Sequence, residues 1–582
     1  MGNRLFLLLP IKTNFVFVVT MFLLGTICDI FVETIGSRFL GLVELWFDVY
    51  LMAVMLTLLP SSVRKVVRGI LYCLCYSLAL IDLYLYYATG QPITPQLVTL
   101  IALTDAREAK EAVNAYFTIK PLLSPWILIW MLLALHLSVL RKWSVRFSLW
   151  KYIEERKYLS RALEMLLFLS IAISAGVIWE DKAYKYYRLL LGRSELETQA
   201  EMDLSPKIYY KHPTYRFMYS AREYLNYHKI VKQLSKNINS GSVDTCTYTS
   251  PLMVFIIGES YNKHHSQLYG YEKETTPYQL YQNRKGNLVF FEDAVSSWNT
   301  TCESLQNIFS LSYYGDTAPW YQKPFFTTLF RKADYDVTFL SNQYTLDHQQ
   351  SVSNFIEDIF INIPNISQMQ FSHRNANRYT YDEELLQDID TIRLCSKPSI
   401  LILHFMGSHF DFNKRYPSTH AYFKPQDYHR PNLSNAELEI LAHYDNSIRY
   451  NDEVLKKIIT LFERKNAIII HIADHGERVF DYDNNWGRSL GNSFAEVTQQ
   501  FEIPMWIWCS DEYKRLHPEV WSAVIKNHKK PYMTDAISHT LLNIAGIQTP
   551  YYTPEVDILS EKYNSHRKRI IKETVDYDTI VK

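Results

Sequence analysis

Three short stretches place chemically capable side chains just after apolar runs. Gly258-Glu259-Ser260 follows the run 252–257. Gly407-Ser408-His409 follows 400–405, a run that already contains His404. Asp474-His475-Gly476-Glu477 follows 467–472. A glutamate at a strand end is commonly a cap or a surface residue, and a lone histidine is commonly a satisfied core residue. Together, however, Glu, His and Asp-His at three strand ends form the oxygen and nitrogen donor set that a hard-to-borderline cation such as Zn2+ takes. The adjacent Asp474 and His475 supply two donors from one stiff turn. A fourth stretch, Ser296-Ser297-Trp298-Asn299-Thr300-Thr301-Cys302-Glu303-Ser304-Leu305, reads as a turn entering a helix. A hydroxyl at such a helix start can attack a phosphate held by the backbone N–H groups and the helix dipole. A nearby metal would lower its pKa. The same position also suits Thr300 or Thr301 as a plain N-cap, and spacing does not separate the two roles.

The elements that must position these groups follow from periodicity. The runs 252–257, 288–291, 337–340, 400–405, 467–472 and 504–508 alternate with amphipathic stretches. That pattern predicts an α/β domain over 246–582 with a mainly parallel sheet, whose ligand groups gather at the carboxyl ends of its strands.

The first half is of another kind. Segments 14–35, 40–60, 67–88, 122–140 and 162–179 are apolar and long enough to span a bilayer, which predicts a five-helix transmembrane domain over 1–180. No small-residue cleavage site follows the first segment, so it reads as a retained anchor. Arg4 and Lys12, then Arg64, Lys65 and Arg68, then Arg141 to Arg161 fall on one side. The positive-inside rule puts that side and the N-terminus in the cytoplasm, and everything after the fifth helix outside it. The stretch 181–245 is polar and rich in tyrosine. It reads either as amphipathic helices lying on the outer leaflet or as an ordinary linker packed on the soluble domain.

Asp29, Glu33, Glu44, Asp48 and Asp82 fall towards the outer ends of the first three helices. They read either as hydrated at headgroup level or as an attraction for a cationic headgroup. Cys28, Cys73 and Cys75 lie in apolar segments. Cys246, Cys302, Cys395 and Cys509 would face an oxidising space, and Cys246 and Cys395 each precede a strand and are candidates to meet. With 60 Lys+Arg against 60 Asp+Glu, bulk positive charge for nucleic-acid binding is missing. Gly (18) and Pro (22) are too sparse for disorder or collagen-like repeats.

In this order, the motifs resemble those of the phosphoethanolamine transferases of Gram-negative inner membranes, whose soluble part belongs to the alkaline phosphatase and sulfatase superfamily. The resemblance runs over nearly the whole chain. It takes in Thr104-Asp105…Glu108-Ala109, Gly258-Glu259-Ser260 with His265 and Leu268-Tyr269-Gly270-Tyr271, and Thr301 nine residues before Ser310. It continues through His404…Gly407-Ser408-His409…Lys414-Arg415-Tyr416-Pro417, Tyr444-Asp445-Asn446, Asp474-His475-Gly476-Glu477 and Pro554-Glu555-Val556-Asp557. It implies Zn2+ on Glu259, Thr301, Asp474 and His475, with Thr301 as nucleophile. Substrate contacts are implied for His409, Asn342, His404 and His265, and for Glu108 near the ethanolamine. The implied donor is phosphatidylethanolamine and the implied acceptor is lipopolysaccharide or another envelope glycan. A phosphoglycerol transferase using phosphatidylglycerol is the alternative. The chain departs from lipid A-modifying members in several places. Ser297 and Asn307 stand where flanking cysteines are found, and Asn485-Trp486-Gly487-Arg488 occupies a region with a histidine. His409-Phe410-Asp411 replaces His-Gly-Pro, and Leu100 occupies the position of a loop asparagine. These departures point to the branch that decorates core sugars or other envelope glycans.

Overall fold

The computed structural model describes residues 7–32, 38–89, 92–93, 98, 125–140, 149–191, 212–316, 318–344, 359–482, 484–489 and 491–581. The chain divides into two compact units, residues 1–228 with 352–355, and residues 229–351 with 356–582.

The first unit is helical. Helix α1 is Leu9–Val32, α2 Arg38–Leu58 and α3 Ser61–Thr89. An α-helix satisfies its own backbone hydrogen bonds, which a lipid-embedded segment requires. Phe17, Met21 and Leu24 of α1 pack with Leu45, Val49 and Ala53 of α2. Gly25 permits the close approach, since a Cβ there would lie 2.4 Å from Leu45 Cδ1. Only Leu59 and Pro60 separate α2 from α3, so the basic residues Arg64, Lys65 and Arg68 stand on the first turns of α3 rather than in a loop. Arg64 donates to the carbonyls of Thr57 (3.0 Å) and Leu59 (2.8 Å) and caps the end of α2.

Among the described residues, four helical stretches are long and apolar enough to cross a membrane: Leu9–Ile30, Gly41–Leu58, Ser61–Tyr86 and Lys157–Gly176. The segment expected over 122–140 is α4 (Pro125–Leu135), continued by a π-helical turn, His136–Leu140. Its apolar part, Trp126–Ser138, is shorter than the others. Then come α5 (Leu149–Glu155), α6 (Lys157–Leu191) and α7 (Pro213–Ser240).

The outer acids are buried rather than exposed to water. Asp29 is 3% exposed, Glu44 5%, Asp48 0% and Asp82 0%. Asp82 is ion-paired with Arg216 at the start of α7, with Arg216 Nε 3.1 Å from Oδ1, and it accepts from the Ile93 N–H at 2.8 Å. Thr214 donates to Cys75 Sγ (3.2 Å). The first turn of α7 is thus held against α3. Glu33, Leu100, Glu108 and residues 192–211 of the expected linker lie outside the described residues.

The second unit holds a seven-stranded sheet. Its strands are β1 (Leu252–Gly258), β2 (Leu288–Phe290), β3 (Asp336–Ser341), β4 (His373–Arg374), β5 (Ser399–His404), β6 (Ile468–Ala473) and β7 (Met505–Cys509). The spatial order is β2-β7-β6-β1-β5-β3-β4. The β6-β1-β5-β3-β4 block is parallel, and β7 runs antiparallel to both of its neighbours. Every residue of β1, β3, β5 and β6 is buried, as expected of parallel strands covered on both faces, and so is every residue of the antiparallel β7. Register does the positioning. Ile257 pairs with His404, and Gly258 with Ala473, so the loops after β1, β5 and β6 emerge side by side. Three helices matter for the site: α8 (Thr301–Phe309), α9 (Asn435–Phe462) and α10 (Phe494–Phe501). A Ser434/Glu437 capping box starts α9.

Candidate active site

The loop after β1 is held on both sides. Asp474 N–H donates to Gly258 O (2.9 Å) and Ser408 N–H to Glu259 O (3.0 Å). From α9, Tyr444 Oη donates to Ser260 O (2.8 Å) and accepts from the Asn262 N–H (2.9 Å). Ser260 itself is left-handed, at φ 54°, a conformation sparsely populated for non-glycine residues and concentrated at functional sites. Gly407 is required beside it. Its φ is +50°, and a Cβ there would meet Glu259 O at 2.7 Å and Glu259 N at 2.8 Å.

Within this frame the donors converge. His475 Nε2 lies 3.3 Å from Glu259 Oε1 and 3.4 Å from Asp474 Oδ2. His475 Nδ1 donates to Gly476 O at 2.8 Å, which leaves Nε2 as the nitrogen with a lone pair. Asp474 Oδ1 accepts the N–H groups of Ser260 (3.1 Å) and His475 (2.7 Å), while the buried Oδ2 has no hydrogen-bond donor. Glu259, Asp474 and His475 offer ligand atoms all within 4.8 Å of one another. Burial, and then the Glu259 charge, push Asp474 well above the carboxylate range. Burial acts on Glu259 in the same sense, but His475, His409 and Arg488 outweigh it and hold Glu259 well below that range. Burial, then Arg488, lower His475 from the ordinary imidazole value. Two buried carboxylates that resist ionising together, an orphaned carboxylate oxygen and an imidazole whose Nε2 is turned to them together fit a divalent cation.

The two adjacent threonines divide the alternatives left by the sequence. Thr300 occupies the N-cap position (φ −138°, ψ 144°) without making a side-chain cap bond, and its hydroxyl donates to Glu303 Oε2 at 2.5 Å. Thr301 opens the helix, and its hydroxyl donates to Glu259 Oε2 at 2.9 Å and lies 3.4 Å from His475 Nε2. Thr301 therefore joins the donor cluster and Thr300 does not.

The expected substrate contacts separate as well. His409 is half-buried in the turn after β5, with Nδ1 2.5 Å from Phe410 O, and it helps to hold Glu259 ionised. The other three expected contacts are buried. Asn342 is fully buried, donating to Asp382 Oδ1 (3.0 Å) and accepting the Tyr379 N–H (2.7 Å). His404 is fully buried against Ser341 Oγ (3.0 Å), and burial pushes its pKa down to about 4. His265 is fully buried between Asp445 (2.6 Å) and Asp481 (3.1 Å), one on each ring nitrogen. In this structure the polar atoms of all three are engaged by the protein itself.

Three residues not singled out by pattern take part. Gln343, one position beyond Asn342, donates from Nε2 to Glu259 Oε2 (2.8 Å) and Phe405 O (2.8 Å). Asp382 accepts the N–H groups of Met406 and Gly407 (2.8 Å each) and so shapes the turn carrying His409. Arg488 Nη2 lies 3.2 Å from Glu259 Oε1 and 3.3 Å from Ser260 Oγ. Only Arg488 carried a signal, as the cation in a segment lacking a histidine. No disulfide forms among the described cysteines: Cys246 Sγ points at Ala545 O and Cys395 is exposed, so the expected meeting of those two does not occur.

The sulfatase family model matches residues 251–547. The phosphoethanolamine transferase EptC of Escherichia coli K12 is 23% identical over 90% of this chain and 88% of its own length. The Kdo(2)-lipid A phosphoethanolamine 7''-transferase of Salmonella typhimurium is 31% identical over 46% of this chain and 47% of its own. Among solved structures, the C-terminal periplasmic domain of E. coli EptC, in complex with Zn, is 24% identical with a TM-score of 0.51. It covers 59% of this chain and 96% of that domain, and the two share the fold.

Proposed function

The chain belongs to the sulfatase family, and on that premise we propose that it is a zinc-dependent transferase. It moves phosphoethanolamine from phosphatidylethanolamine to a lipopolysaccharide or other envelope glycan, through a phosphothreonine at Thr301. The observation that carries this reading is the convergence of Thr301 Oγ1 on Glu259 and His475 at the start of α8. Relatives named as phosphoethanolamine transferases, one of them matched along 90% of this chain, support the transferred group. Four helices long and apolar enough to span support a membrane enzyme acting on lipids. In this reading the N-terminus is cytoplasmic, the membrane is the inner one, and the catalytic domain is periplasmic.

Glu259, Asp474, His475 and Thr301 would hold the zinc. Bound there, zinc supplies Lewis acidity that lowers the pKa of the threonine hydroxyl and polarises the phosphoryl oxygens. Thr301 Oγ1 attacks phosphorus, its proton directed at Glu259 Oε2, and the bond from phosphorus to the diacylglycerol oxygen breaks. Diacylglycerol leaves after taking up a proton. The acceptor hydroxyl then attacks the same phosphorus, loses its proton, and Thr301 is released with its hydroxyl restored. The helix dipole at the start of α8 favours the anion throughout. His409 faces the reacting phosphoryl group, and Glu108 is proposed to approach the ethanolamine.

The test is diacylglycerol release and mass analysis of the Thr301 peptide with the full chain in vesicles of phosphatidylethanolamine or phosphatidylglycerol. The reading predicts release, and an ethanolamine-bearing adduct on Thr301, only with the former. Release with phosphatidylglycerol alone would replace it with a phosphoglycerol transferase.

A further inference from the structure

We infer that Arg488 is a further catalytic residue, binding the phosphoryl oxygens of the donor and of the phosphothreonine. The inference rests on the phosphotransfer reading above. Carboxylates gather round the Arg488 guanidinium, with Glu259 Oε1 at 3.2 Å and Glu477 Oε2 at 3.7 Å. A phosphodiester brought to Thr301 comes in beside these carboxylates, where a guanidinium would add its charge to that of the bound metal.

Arg488 is placed to supply it. Its Nη2 rests on Glu259 Oε1 at 3.2 Å while Thr301 Oγ1 rests on Glu259 Oε2 at 2.9 Å, so nucleophile and guanidinium bracket one carboxylate. Its Nε lies 3.7 Å from Glu477 Oε2, and Nη1 bonds no acceptor among the described residues. The side chain keeps 19% of its surface exposed. A guanidinium presents paired donors that match two phosphoryl oxygens, and it stays charged at every physiological pH. The segment carrying it is anchored: Phe480 N–H donates to Asn485 O (3.0 Å) and Gly487 N–H to Arg478 O (3.0 Å).

The test uses the full chain in detergent, loaded with zinc, and titrates sn-glycero-3-phosphoethanolamine, whose phosphodiester keeps its charge across the working pH. Arg488→Gln should weaken binding about 10- to 100-fold, the usual cost of a lost bond to a charged group, with zinc content and melting temperature unchanged. Arg488→Lys should recover part of the affinity, because charge returns without the fork. Arg488→His should bind nearly as well as wild type at about pH 5.5 and like Arg488→Gln at about pH 8.5. Wild-type affinity should be flat over that range. Three results would overturn the proposal: variants that bind like wild type, variants that all lose zinc or fold, or a wild type that does not bind the probe. Because the readout is binding, it remains informative if vesicle transfer fails, an outcome that would instead sink the phosphoethanolamine reading.

Discussion

Thr301 Oγ1 donates to Glu259 Oε2 across 2.9 Å, while the hydroxyl one residue earlier, on Thr300, turns to Glu303. Neighbouring threonines at one helix start thus take unrelated partners. Thr301→Ala should abolish both transfer and the covalent adduct. Thr300→Ala should keep most of the activity, losing at most the helix-start contribution of about 1 kcal/mol in stability. An active Thr301→Ala beside a dead Thr300→Ala would shift the nucleophile by one residue.

Asp474 divides its oxygens between backbone N–H groups and the cleft. Asp474→Ala should purify with little or no zinc, because Glu259 and His475 remain as the only ligands with no reactive hydroxyl. Metal analysis of the dialysed variant checks this, and full occupancy would remove Asp474 from the ligand set.

Gly407→Ala should lower the melting temperature and activity together. The added Cβ would lie 2.7 Å from Glu259 O at φ +50°, a strain of about 1–3 kcal/mol delivered at a ligand's backbone. Gly315→Ala has equally unfavourable φ (+97°) but nothing within 4 Å. It should lose stability while leaving turnover in the surviving protein near wild type. Equal turnover defects in the two would deny the close approach any role.

His265 gives a pH signature. Burial opposes its charge, but Asp481 and Asp445 outweigh that and raise its pKa from the ordinary 6.5 to about 10. The folded-state value lies above the unfolded one, so the stabilisation is fully present below pH 6.5 and is lost as pH rises through about 10. At about 1.4 kcal/mol per pKa unit the loss is on the order of a few kcal/mol. Melting curves between these limits should fall for wild type and be lower but flatter for His265→Gln. Parallel curves would remove the imidazolium from the linkage.

In the helical unit, Asp82 and Arg216 are both buried and paired. Arg216→Ala should destabilise that unit by about 3–5 kcal/mol, since it leaves Asp82 buried without its cation. Pairing it with Asp82→Leu should restore much of the loss. A double variant as unstable as the single one would mean that the pair's partners elsewhere, rather than its charges, matter most.

What the chain determines locally is the set of elements and their chemical ends. Apolar runs of strand length, each followed by Glu259, His409 or Asp474-His475, dictate a parallel sheet with donors at its carboxyl edge. The long apolar segments dictate membrane helices. These are nearest-neighbour properties, readable from periodicity and hydropathy. Tertiary structure decided what depends on side-chain direction and on distant partners. Helix phase turned Thr301, not Thr300, to Glu259, 42 residues away. The turn after β3 sent Gln343 into the site and Asn342 behind it. His265 carries the same ring as His409, but two aspartates more than 170 residues further along the chain enclose it. Asp82, legible only as an acid near a helix end, acquired its meaning from Arg216, 134 residues later. A side chain's role follows from which of its polar atoms remain unengaged after folding, and those contacts are set by long-range packing, on which local spacing carries no information.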